Sequence, residues 1–77
     1  MKKIENIIKD ILSTILKLPV KKINSSFDYN TTKKWDSLNQ IKIIMALESS
    51  FQIKIKPEEA IEMMSYKKIL QYIRNSI

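Results

Sequence analysis

Apolar residues recur along the first segment of the chain at helical spacing. Ile4, Ile7, Ile8, Ile11, Leu12 and Ile15 follow the i, i+3, i+4 rhythm, with Glu5, Lys9, Asp10 and Ser13 on the other side. The pattern predicts a helix over residues 2–17. Pro19 ends it, because the residue before a proline avoids the helical region. From Val20 to Trp35 the rhythm is lost and Ser, Asn, Asp and Thr dominate. The expectation there is a long loop pinned by Val20, Ile23, Phe27 and Tyr29. Such loops are unusual in compact domains and often functional. A second helix is predicted from Ser37 to Ser50. Pro57 suits the first position of a short third helix over residues 57–63, with Glu58 and Glu59 in its first turn. Ser65 fits the N-cap of a last helix built on Tyr66, Ile69, Leu70 and Ile73. No strand pattern, repeat or low-complexity tract appears. The chain has no glycine, so a left-handed turn is expected to fall on Asn or Asp.

The second helix breaks the simple pattern. On a wheel of 100° per residue, Ile43, Ile44, Leu47 and Phe51 fall together, roughly opposite Leu38 and Met45, with Ile41 beside that second pair. A surface helix needs one apolar face for the core, and this one has a second to spare. Three longer helices, one short one and a long first loop define an all-α four-helix bundle, a single domain over residues 1–77.

Composition narrows the chemistry. A 77-residue chain buries only about 60% of the surface its unfolded form exposes, so its core is thin and no cleft between domains is available. Cysteine and histidine are both absent. That removes a disulfide framework, thiolate metal sites, the commonest general base and the commonest metal ligand. Catalysis by the chain itself is not expected, and no catalytic or metal-ligating residue is assigned. Neither a secretory apolar run nor a membrane span can be read, since Glu5, Asn6, Lys9 and Asp10 interrupt the N-terminal segment. The expected compartment is the cytoplasm. The net charge is +6, carried as +5 in residues 1–34, −2 in residues 35–66 and +3 in residues 67–77. The basic ends invite a small helical nucleic-acid-binding module as an alternative, but its recognition helix should then be basic, and the second helix carries one lysine. A membrane-surface role for the first helix conflicts with the core's need for its apolar face.

Ser37 stands at the mouth of the second helix. No histidine, and no lysine base within the motif, is there to activate it for acyl transfer. Read alone it is an N-cap, a role Asp36 fills equally well. It also suits an attachment point, because the first turn of a helix offers unpaired N–H groups and the positive end of the dipole to a phosphate ester. Ser37 lies in line with Ile41, Ile44 and Glu48 at i+4, i+7 and i+11, along the seam between the two apolar faces. An arm leaving it could follow that seam, or its cargo could slip between the second and third helices.

These residues resemble a known family. Asp36-Ser37-Leu38, followed by Ile43–Phe51 (IIMALESSF) and Ile53–Ala60 (IKIKPEEA), is similar to the acyl carrier proteins without a gap from Asp36 to about Ile73, with Ile23 and Phe27 matching the loop anchors. The resemblance implies the four-helix carrier fold, with Ser37 bearing 4′-phosphopantetheine added from coenzyme A by a phosphopantetheinyl transferase with magnesium. The thiol of that arm would hold acyl or aminoacyl cargo as a thioester, so the arm brings the sulfur and partner enzymes bring the catalysis. It also implies partner docking through Leu38, Ile41 and Met45, with Asp36 and Glu48 as motif residues, while Ile43, Leu47 and Phe51 face the core. Met45 at helical spacing reads equally well as core.

The chain departs from the family's housekeeping fatty-acid members in specific ways. Asn39 and Lys42 stand where acids are common, and Lys33-Lys34-Trp35 replaces the usual leucine–glycine, with the loop about two residues longer from Phe27 to Ser37. Trp35 reads as a plug closing the loop over the bundle. Lys33 and Lys34 read as a solvated turn, or as a screen for a phosphodiester or an acidic partner. The resemblance therefore points to a monomeric carrier in a specialised pathway. Its partners would be an acyl or aminoacyl ligase, an acyltransferase or a synthase; nucleic acid and membrane are not expected.

Overall fold

The computed structural model describes residues 3–77. Lys2, the first residue of the expected helix, lies outside them. Helix α1 (Ile4–Leu16) packs against both α2 (Ser37–Phe51) and α4 (Tyr66–Ser76), while α3 (Pro57–Ala60) is a single turn between α2 and α4. No strand is present among the described residues; one isolated bridge joins Asp28 to Ser65.

One apolar cluster holds the bundle together. Ile8, Leu12 and Leu16 of α1 meet Ile43 and Leu47 of α2 and Tyr66, Ile69 and Ile73 of α4, with Ile23, Phe27, Trp35, Ile55 and Met63 supplied by the connections. Phe51 packs half-buried at the edge of this cluster. An exposed ion pair, Arg74 to Glu5 at 3.2 Å, closes the far end of α1 on α4. Tyr72 donates to Glu59 at 3.0 Å and ties α4 to α3. Burial, reinforced by that hydrogen bond, holds the Tyr72 phenol above its ordinary pKa, and burial does the same at Tyr66.

Helix ends differ from the sequence expectation in an instructive way. The left-handed residues are Lys17 and Gln52, both at φ 55°, not Asn or Asp. Each sits just past a helix end, where its N–H turns back to the carbonyl four residues earlier, Ser13 and Glu48 respectively. Satisfying the orphan carbonyls of a helix end outweighs the roughly 1–2 kcal/mol cost of the left-handed conformation for a residue with a Cβ. The first helix thus stops at Leu16, before proline can act. Ser65 caps α4 as expected, its Oγ accepting from Lys68 N at 3.0 Å.

The third helix is shorter than the predicted 57–63. After Ala60 the chain tightens, with Glu62 N bonding Glu59 O and Met63 N bonding Ala60 O at 3.1 Å each. This i→i−3 winding turns Met63 into the core. The long first loop contains two short 3₁₀ turns, Val20–Lys22 and Tyr29–Thr31, the second closed by reciprocal Asp28–Thr31 bonds. Ile23 and Phe27 anchor it in the core, but Val20 and Tyr29 are exposed and pin nothing. Val20 opens a 3₁₀ turn, which leaves its side chain outward; Tyr29 instead uses its backbone, donating N–H to Met64 O at 2.8 Å.

Candidate functional site

The site begins with a division of labour at the mouth of α2. Asp36, in extended conformation, is the N-cap: its Oδ1 accepts from Asn39 N at 2.8 Å. Ser37 is therefore the first helical residue, not the cap, and its exposed hydroxyl makes no hydrogen bond among the described residues. Both readings of this pair are resolved by one bond. With its neighbour doing the capping, the serine hydroxyl is left exposed and unbonded.

The two faces of α2 separate as the wheel implies. Leu38, Ile41 and Met45 are 62%, 58% and 62% exposed, whereas Ile43 and Leu47 are fully buried. Lys42 and Ser49 share the exposed side, with Glu48, half-buried, at its margin. Glu48 has a task inside the molecule: Oε2 accepts from Ile55 N at 2.9 Å and holds the connection that leads to α3.

Three of the residues that depart from the housekeeping pattern, Lys34, Trp35 and Asn39, are tied into the fold around the mouth of α2. Trp35 is 2% exposed and stacks on Phe27 with ring centroids 5.7 Å apart, closing the loop over the core as expected. Asn39 Nδ2 donates to Lys34 O at 2.6 Å, a bond the acid common at this position could not make because a carboxylate cannot donate. Lys34 Nζ reaches Lys17 O at 3.2 Å and pins the loop to the end of α1. Lys33 is exposed, in keeping with a solvated turn.

Sequence reasoning passed over Gln40. Its Oε1 accepts from Trp35 Nε1 at 2.6 Å, and its Nε2 donates to Ala60 O at 3.0 Å and Met63 O at 3.1 Å. The signal was present: a polar residue three before Ile43 on the core side, near a tryptophan whose indole N–H needs a partner when buried. A groove of about 270 Å³ lies beside the serine, lined by Tyr29, Ser37, Gln40, Ile61 and Met64. A second hollow of about 350 Å³ is lined by Tyr29 as well, together with Lys33, Trp35 and Asp36.

The mouth of α2 thus sets an unbonded serine, an apolar groove and an exposed apolar stripe close together. No family model matches the chain. Curated relatives do. An acyl carrier protein of Buchnera aphidicola subsp. Schizaphis graminum is 36% identical over 75 residues, covering 97% of this chain and 95% of the relative. One from Thermosynechococcus vestitus is 31% identical over 77 residues, covering 100% and 90%. The chain belongs to the acyl carrier protein family. Members of the family are non-catalytic carriers whose cofactor is 4′-phosphopantetheine.

Proposed function

We propose that Ser37 is the attachment point of 4′-phosphopantetheine and that the chain carries acyl or aminoacyl groups in a specialised pathway. The observation that carries the assignment is the unbonded, exposed hydroxyl of Ser37 in the first turn of a helix already capped by Asp36. A phosphodiester there would meet the positive end of a 15-residue helix. The residues present suit the group: the serine offers an accessible oxygen, and Lys33 lines the hollow beside Asp36. Once attached, the arm supplies a thiol that holds the cargo as a thioester. The chain's own residues orient the attachment point and offer Leu38, Ile41 and Met45 to the partner, with Asp36 and Glu48 at the margins of that surface. The partners in this reading are a phosphopantetheinyl transferase and a ligase, acyltransferase or synthase, met by a monomer in the cytoplasm.

Two features support the specialised pathway. Lys42 is the one charge on the exposed side of α2, and Asn39 is committed to the Lys34 carbonyl. An enzyme that grips an acidic second helix finds a lysine and an amide there, with Glu48 at the margin and bonded to Ile55 N.

The test is direct. Incubation with coenzyme A, magnesium and a broad transferase should add the mass of one arm to the wild-type chain and none to Ser37→Ala, which should keep the wild-type circular dichroism spectrum. A modified alanine variant would sink the site assignment. Loaded wild type should also be a poor substrate for fatty-acid synthase enzymes; efficient elongation on it would refute the specialised pathway while leaving the carrier role standing.

A further inference from the structure

We infer that Gln40 is a latch that closes the interior of the bundle to cargo carried at Ser37, so that this carrier presents its acyl group outside the core. The inference rests on the carrier reading above and deepens it by naming the cargo the site favours: short or polar groups over long alkyl chains.

Gln40 sits three residues after Ser37 and lines the groove beside it. Its amide spans the gap between three parts of the chain. Oε1 takes the indole N–H of Trp35 in the first loop, while both Nε2 hydrogens are committed, one to Ala60 O and one to Met63 O where α3 ends. Trp35 and Met63 both belong to the buried core. An alkyl chain passing from the groove into the core must part α2 from residues 60–63. Parting them breaks both Nε2 bonds and leaves the Gln40 amide and the Met63 carbonyl against hydrocarbon, the costly outcome for buried polar groups. A short or polar cargo that stays in the groove, against exposed Tyr29 and Ile61, asks for no such opening.

The test loads the wild-type chain with acetyl and with octanoyl arms, using a broad phosphopantetheinyl transferase and the two acyl-coenzyme A thioesters, and checks addition by intact mass. A chain that takes no arm overturns the carrier reading itself; with both arms in place, the latch is tested separately. Hydroxylamine cleavage rates are measured for each thioester and divided by those of the same thioester on free pantetheine, and the Ile43 and Met63 methyl resonances are recorded. In the wild type the two normalised rates should agree within about twofold, since a chain buried for most of the time would be protected in proportion to its buried population. The methyl resonances should not move between the acetyl and octanoyl forms. In Gln40→Ala, and in Gln40→Ala combined with Trp35→Phe, which leaves no unpaired indole N–H, octanoyl cleavage should slow by about fivefold or more, with shifted core methyls. Protection of the octanoyl thioester in the wild type, with shifted core methyls, would overturn the latch. Equal normalised rates in the wild type and both variants would overturn its assignment to Gln40.

Discussion

Replacing Gln40 with leucine keeps the volume of the side chain and removes its amide. Three hydrogen bonds go with it, at 2.6, 3.0 and 3.1 Å. Their losses are unequal. Trp35 is 2% exposed, so its indole N–H is stranded, at about 1–3 kcal/mol for an unsatisfied buried donor. Met63 O loses the partner supplied by Gln40, at about 1 kcal/mol. Ala60 O keeps a bond from Met63 N at 3.1 Å and loses little. The leucine's own burial returns about 1 kcal/mol. The net expectation is a loss of about 2 kcal/mol, a large share of the few kcal/mol a domain of this size has. Urea denaturation followed by far-ultraviolet circular dichroism should show a lower midpoint with an unchanged slope. In a Trp35→Phe background, where no indole N–H exists to be stranded, the same substitution should cost at least ~1 kcal/mol less. Additive losses, or a loss below about 0.5 kcal/mol in the single variant, would refute the assignment of a structural clamp to Gln40.

Three further outcomes are expected. Lys17→Gly and Gln52→Gly should each raise stability by about 0.5–1 kcal/mol in denaturant melts, because relief of the left-handed strain exceeds the entropy glycine adds to the unfolded chain. Leu38→Ala and Met45→Ala should change stability by less than about 0.5 kcal/mol, since both side chains are mostly in water, yet slow transfer of the arm by the transferase; unchanged transfer would argue against their side of α2 as the docking surface. Tyr72 is held above its ordinary pKa by burial and by donating to Glu59. A raised phenol pKa means its contribution is fully present below about pH 10 and is lost as pH rises through the folded value. The stability gap between wild type and Tyr72→Phe should therefore be constant at neutral pH and close in alkali.

Much of this molecule is legible in the chain because the relevant physics is local. The i, i+3, i+4 rhythm of Ile8 and Leu12, the cap at Ser65 and the proline at Pro57 act within one or two turns, and the helices form where those signals stand. The two-faced wheel of α2 was readable for the same reason, and so was Trp35 as a plug, since a large apolar ring in a polar loop has few other places to go. Helix ends were less readable. The left-handed residue falls wherever a helix stops, and in a chain without glycine the residue standing there, Lys17 or Gln52, takes it whatever its own preference.

By itself the sequence determined the helices, the two faces of α2, the candidate serine and the family. What only the tertiary structure decided is which groups are already occupied. Asp36 takes the cap, so the Ser37 hydroxyl is left unbonded; Glu48 is tied to Ile55 N at the margin of the exposed side of α2. Asn39 belongs to Lys34, and Gln40 ties Trp35 to the end of α3. The Gln40–Ala60 and Gln40–Met63 bonds join residues 20 and 23 positions apart. A hydrogen bond across that distance depends on how the helices pack, and packing is a property of the whole chain, not of any window along it.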